Sequence, residues 1–305
     1  MIQNHFKILL VGLVALVTMP ACTKKLDLVP TNDIGPDVVY STSTGYKQSL
    51  AKVYGAMALT GNSGGAGSPD ISSQIINDEG NSDFIRMYWY LQCLTTDEAG
   101  WTYHGNTDPL GIHQMTWSSV NQTVAGLYFR SFFLITLANE FIRQSSDANL
   151  SSRGITGASA DSIVKYRAEA RFLRAYQYWV LMDLFANPPF ITEADVFGGP
   201  LPKQIQRKDL FTYLESELKA LETELVAPRA NEYGRADQAA AWALLSRLYL
   251  NAEVYTGTAR YTDAITYCKK IIGAGYTLHP KYKELMLADN NYIELGDLSA
   301  KLLLS

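Results

Sequence analysis

Tyr166-Arg-Ala-Glu-Ala-Arg-Phe-Leu-Arg-Ala-Tyr-Gln-Tyr-Trp-Val-Leu-Met-Asp-Leu-Phe185, followed by Ala-Asn-Pro-Pro-Phe190, decides how the chain folds. Ala168, Phe172, Ala175, Trp179 and Met182 recur every three or four residues, the spacing of one helical face. Leu173, Tyr176, Val180 and Leu184 widen that face until most of the circumference is apolar. Arg167, Glu169, Arg171 and Arg174 supply a polar side. Asn187 and Pro188-Pro189 stop the helix, because proline has no amide proton and disfavours helix in the residue before it.

The same periodicity extends outward in both directions. Helices are predicted over 46–60, 119–144, 208–226, 235–252 and 261–274, with a short one over 282–287. Residues 83–95 read as a helix or an apolar hairpin arm. Residues 96–116 read as irregular, broken by Gly100, Gly105, Asp108-Pro109 and Gly111. Residues 147–161 read as a polar connector and 190–206 as a turn-rich, partly extended segment. Trp242, Leu245, Ser246 and Tyr249 have the W-x2-L-G-x2-Y spacing of a tetratricopeptide helix, and Ala264 is the small residue of its partner across a lengthened turn. The expected class is therefore mostly α, with tetratricopeptide-like helical hairpins and irregular, loop-rich regions.

Lys7, the apolar run Ile8 to Met19 and Pro20-Ala21-Cys22 have the layout of a secretory signal. The run is 12 residues long, too short to span a bilayer. A small residue before Cys22 predicts lipoprotein processing, with residues 1–21 removed and Cys22 acylated; the alternative is an ordinary signal with an incidental cysteine. Acyl chains contribute about 0.8 kcal/mol per buried methylene, so several would hold the protein on a membrane. Residues 22–32 read as a polar, lipidated tether and 33–292 as the helical domain. The net charge of −4, with no basic cluster, argues against a nucleic-acid partner. Cys93 and Cys268 fall in apolar helical contexts and are expected to be buried free thiols, a disulfide between them being the alternative.

No pattern calls for catalysis, a metal or a cofactor. Gly61-Asn-Ser63-Gly-Gly65 fits G-x-S-x-G, but a helix precedes it and a glycine loop follows, whereas a nucleophile elbow needs strand then helix. His104, His113 and His279 have no ligand spacing. The adjacent carboxylates Asp97-Glu98 read as a helix start or a solvated turn rather than a glycosidase pair. The segment Thr95 to Asn106 is more informative. It places Trp101, Tyr103 and His104 in a loop flanked by Gly100 and Gly105. Flat amphipathic rings suit the C–H face of a sugar, while Asp97, Asn106 and Asp108 can bond hydroxyls. The competing reading is a loop aromatic tucked against a neighbouring helix. The ligand residues expected on this loop are Trp101, Tyr103, His104 and Asn106.

Beyond the 166–190 helix, several stretches carry a resemblance: the lipoprotein start, Leu94-Thr-Thr-Asp-Glu-Ala99, the W-x3-N of Trp117 to Asn121, Tyr128 with Ala138-Asn139, Pro202-Lys203, Asn231-Glu-Tyr-Gly-Arg-Ala236, and Tyr249-Leu-Asn-Ala252 with Tyr255-Thr-Gly257. In order and spacing, from about residue 20 to Tyr292, the chain resembles the RagB/SusD family, lipid-anchored nutrient-binding proteins of Bacteroidetes outer membranes. The resemblance implies a tetratricopeptide-like scaffold and a cell-surface, outer-membrane location. It also implies capture of oligosaccharide for a SusC-like TonB-dependent transporter, and no enzymatic activity. The ligand of some such proteins is a peptide, so a helical-repeat scaffold binding a protein or peptide without glycan affinity is the alternative. After Asn291 the likeness stops, and residues 293–305 have no family character, as a frameshift or a truncated reading frame would produce. An uncovered helical edge with exposed apolar surface is expected to accompany it.

Overall fold

A computed structural model describes residues 35–62, 69–195 and 198–287. The chain divides into a leading unit, residues 1–39, and a main unit, 40–305. Within the first, a single turn of helix, α1, spans Pro36–Val39. The main unit holds α2 (Ser43–Ala58), α3 (Phe84–Cys93), α4 (Thr107–His113), α5 (Gln122–Gln144), α6 (Asp147–Ser152), α7 (Gly157–Phe185), α8 (Arg207–Glu224), α9 (Gln238–Leu250), α10 (Ala252–Thr256) and α11 (Tyr261–Gly273). Short 3-10 turns cover Glu79–Asn81 and Tyr282–Met286. Among the described residues the only extended pairings are two isolated bridges, Gly61 with Pro69 and Pro189 with Gln204. The mostly α reading holds, and residues 83–95 form a helix rather than a hairpin arm.

Side-chain caps set where these helices begin. Thr42 Oγ1 accepts from Gly45 N at 3.2 Å, Asp83 Oδ1 from Arg86 N at 2.8 Å, and Asp237 Oδ1 from Ala239 N at 2.9 Å. Each satisfies an amide that the first helical turn leaves without a partner, worth about 0.5–2 kcal/mol. The connector expected over 147–161 instead contains α6 and the first turns of α7. Ser146 is the reason for α6: its hydroxyl accepts from Asn149 N. At the other end of α7, Ala186 takes φ 62°, a left-handed turn that is costly for a residue with a Cβ, just ahead of Asn187 and the two prolines.

The helices pack as antiparallel neighbours: α5 on α7, α7 on α8, α8 on α9 and α9 on α11, with α2 and α3 closing over α5 and α7. α7 lies at the centre. Tyr178, Trp179, Val180, Leu181 and Met182 are all buried in succession, so no face of this stretch meets water. Each such side chain contributes about 1.5–3 kcal/mol. Of the polar side read from the sequence, Glu169 and Arg174 are buried and Arg167 and Arg171 partly so. Glu169 is held by Arg235 at 2.5 Å and by the Tyr54 hydroxyl at 2.7 Å. Arg171 forks onto Glu217 at 2.8 and 2.9 Å, and Arg174 donates to Asn139 Oδ1 at 2.8 Å and pairs with Glu193. Charges in an apolar interior are tolerated only when paired in this way.

The tetratricopeptide-like pair is α9 and α11. Tyr249 of α9 stacks on Tyr267 of α11, centroids 5.6 Å apart, and Ala264 is buried between the helices. Glu222 of α8 ties them together, accepting from Trp242 Nε1 at 3.0 Å, Tyr267 OH at 2.5 Å and Lys270 Nζ at 2.5 Å. Burial opposes ionisation of Glu222, but these donors outweigh it and hold the carboxyl below its ordinary value. The long turn between α9 and α11 contains α10, closed by Gly257 at φ 79°. Cys93 and Cys268 are free thiols, as expected, but neither is buried: Cys93 is partly exposed and Cys268 is exposed. Tyr267, one residue earlier, takes the inward position and turns Cys268 to the outer side of α11.

Candidate functional site

The loop after α3 is held at both ends. Leu94 is buried, and the hydroxyls of Thr95 and Thr96 bond back to Leu91 O at 3.0 Å and Cys93 O at 2.8 Å. Trp101 is half-buried. Its ring meets Tyr90 of α3 edge-on, centroids 5.4 Å apart, and its Nε1 donates to Tyr103 O at 2.7 Å. The indole thus spends its donor inside the loop and braces it against α3. Tyr103 is 66% exposed. His104 is exposed as well.

Residues 96–116 were expected to be irregular, yet they contain α4. Asn106 Oδ1 caps it by accepting from Asp108 N at 3.4 Å. Asp108-Pro109, read as a breaker, falls in its first turn, where proline loses no intrahelical bond and an acid complements the helix dipole. Asn121 locks α4 to α5. Its Oδ1 caps α5 by accepting from Thr123 N at 3.0 Å, and its Nδ2 donates to Asp108 O at 2.9 Å. Asp108 Oδ1 in turn accepts from Gln122 N at 2.7 Å.

Between this loop, the start of α5 and the turn 76–81 lies a cleft of about 430 Å³. Tyr103, Asn106 and Asp108 line one side, and Asn77, Asp78 and Asn81 another. Gln122, Thr123 and Tyr90 complete the walls, and Ile76 and Met87 contribute apolar surface. The wall is pre-organised. Asn77 N donates to Gln122 Oε1 at 2.8 Å, Asn81 Nδ2 to Asp78 Oδ2 at 2.7 Å, and Arg86 Nη1 to Asn81 Oδ1 at 2.5 Å. Of the four residues expected from the sequence, Tyr103 and Asn106 line the cleft. Trp101 stands behind them against Tyr90, and His104 lies outside the lining. Asn77, Asp78, Asn81 and Gln122 were not anticipated. The first three carry one sequence signal, the polar run Asn77-Asp-Glu-Gly-Asn81, and Gln122 carries none.

A second concavity, a groove of about 420 Å³, is different in character. It is walled largely by helix-borne rings, Tyr54, Phe84, Tyr88, Trp89, Phe172 and Tyr176, with Arg235 and Arg247 at its edge. Burial pushes the Tyr88 hydroxyl well above its ordinary range and raises that of Tyr176, so both stay neutral. Among the described residues no group of His, Cys, Asp and Glu is placed to hold a metal ion, and no helix is long and apolar enough to cross a membrane. The G-x-S-x-G serine, Ser63, lies outside the described residues, as do Cys22 and residues 293–305.

Residues 73–250, which contain the whole cleft, match the family model described as SusD-like, starch-binding and associating with the outer membrane. The chain belongs to the SusD-like family. The starch-binding protein SusD of Bacteroides thetaiotaomicron is 37% identical over 273 residues, covering 89% of this chain and 45% of that protein. Among solved structures, a SusD superfamily protein of Bacteroides vulgatus aligns with a TM-score of 0.61 at 15% identity, over 84% of this chain and 48% of the other. Surface glycan-binding protein A of Bacteroides fluxus aligns with a TM-score of 0.60 at 20% identity, over 83% and 49%. This SusD-like chain therefore spans about half the length of the relatives it matches.

Proposed function

We propose that this SusD-like chain binds oligosaccharide in the cleft beside Tyr103 and passes it to a SusC-like TonB-dependent transporter, without breaking bonds in it. In this reading Cys22, acylated, anchors it to the outer face of the outer membrane. The observation that carries the proposal is the cleft itself. An exposed tyrosine ring stands over a wall of amides, carboxylates and hydroxyls already held in place by one another. Such a wall offers hydroxyl groups about 0.5–1.5 kcal/mol per net hydrogen bond, while a ring gains from covering a sugar's C–H face. Single-site affinity is then modest, and a polysaccharide gains by presenting many copies. Its relatives support the reading: the 37% identical protein is a starch-binding protein.

Affinity electrophoresis of residues 23–305 through gels carrying starch, laminarin or other polysaccharides tests it. Retardation on at least one gel, reduced by Tyr103→Ala and by Trp101→Ala, is the expected result. A folded chain that no polysaccharide retards would sink it. The apolar groove between Tyr54, Trp89 and Tyr176 favours one other reading, a scaffold that takes a protein or peptide partner on helix-borne residues. Under that reading Trp89→Ala abolishes partner binding and Tyr103→Ala does not.

A further inference from the structure

We infer that the cleft selects neutral oligosaccharide and rejects glycans carrying carboxylate or sulfate groups, with Asp78 and Asp108 setting the choice. The inference rests on the glycan-binding reading above and names the class of glycan. Its basis is the charge of the wall. Two carboxylates line the cleft, and no lysine, arginine or histidine does among the described residues. Arg86 is not a lining residue; it donates to the back of the wall, to Asn81 Oδ1 at 2.5 Å, and its charge is paired with Asp83 Oδ2 at 3.1 Å. Asp108 uses Oδ1 on Gln122 N, and its other oxygen has no protein partner among the described residues. Asp78 accepts from Gly80 N at 3.2 Å and Asn81 Nδ2 at 2.7 Å. Every remaining polar lining group is an amide or a hydroxyl.

A carboxylate accepts strongly from neutral hydroxyls, because the acceptor is charged and the donor needs no counter-ion. The same carboxylate meets an anionic sugar as a like charge. Without a cation in the wall, desolvating that sugar's carboxylate has nothing to offset it. Recognition of acidic sugars ordinarily recruits arginine for its planar bidentate fork, and that element is missing from this wall.

Matched pairs of polysaccharides test the inference on the 23–305 chain, because each pair shares a backbone and differs in charge. Starch is run against carboxymethyl starch, laminarin against carboxymethyl laminarin, and highly esterified pectin against pectate. The neutral member of any pair that retards the protein is expected to bind roughly tenfold or more tightly. That ratio should widen at low ionic strength, where the Debye length grows, while neutral binding stays level. Asp78→Asn combined with Asp108→Asn is expected to bring the ratio towards one. Asp147→Asn combined with Asp161→Asn, an equal change of net charge outside the cleft, should leave it alone. Asparagine keeps an acceptor for Gln122 N, and the salt series on the unaltered chain needs no variant to fold. Equal or tighter binding of the acidic member overturns the selectivity while leaving glycan binding standing. A ratio unmoved by the double variant overturns the assignment to Asp78 and Asp108. Retardation by no polysaccharide removes the glycan reading and this inference with it.

Discussion

Gly105 decides how Tyr103 stands over the cleft. A Cβ built on Gly105 would lie 2.6 Å from Cζ and OH of the Tyr103 ring, closer than any real contact. The clash is with the tip of an exposed side chain, so Gly105→Ala is expected to move the ring and cost the fold less than about 0.5 kcal/mol. Thermal unfolding should barely shift, while retardation by a bound polysaccharide weakens. An unchanged affinity would mean that Tyr103 does not touch the ligand. At this scale the sequence was partly legible. Gly100 and Gly105 marked a loop, and two of the four residues expected there, Tyr103 and Asn106, reach the cleft. Trp101 satisfies the competing reading in part, since it is tucked against Tyr90. Spacing could not show that its Nε1 bonds to Tyr103 O, because that bond depends on how the loop turns rather than on which residues it contains.

Helices were easier to read than the loop, because apolar periodicity is a property of many residues at once. Departures arose where one residue carries two meanings. Pro109 reads as a stop and serves in the first turn of α4; Arg171 and Arg174 of α7 read as part of a polar side and are engaged by partners from α8 and α5. Gly126 is a third case. Glycine inside a helix normally costs about 1 kcal/mol against alanine. In α5, however, a Cβ at Gly126 would meet Ile76 Cδ1 at 2.4 Å and Met87 Sδ at 2.7 Å. Both residues line the cleft, so the glycine lets α3 and the 76–81 turn approach α5 and shape the site. Gly126→Ala is expected to combine the propensity gain with an overpacking loss of about 1–3 kcal/mol, a net destabilisation of roughly 1 kcal/mol, and to weaken glycan binding by displacing Ile76 and Met87. The same change at Gly55 in α2 would place a Cβ 3.6 Å from Leu59 Cδ1, an ordinary contact, and is expected to stabilise by about 0.5–1 kcal/mol. Denaturant unfolding of the two variants checks the pair. Stabilisation by both would show that helix propensity, not the close approach, governs the two positions.

On the scale of the whole molecule, one surface stands out. α11 buries Ala264 and Tyr267 against its neighbours, yet its outer side carries Tyr261, Ile265, Cys268 and Ile272, all exposed and spaced four, three and four apart. Ile265 is 56% exposed and Ile272 76%. The sequence predicted a helix over 261–274 and an uncovered helical edge, but not which residues form that edge, because the pattern alone does not say which neighbours cover which side. An apolar stripe of this kind takes up a hydrophobic dye. Ile265→Lys together with Ile272→Lys is therefore expected to reduce anilinonaphthalene sulfonate fluorescence sharply. The thermal midpoint should stay nearly constant, since lysine is a good helix former and neither isoleucine contributes to the core. A lowered midpoint would show that the stripe packs within the chain, and an unchanged dye signal would place the accessible apolar surface elsewhere, with the groove around Trp89 and Tyr176 the next place to probe.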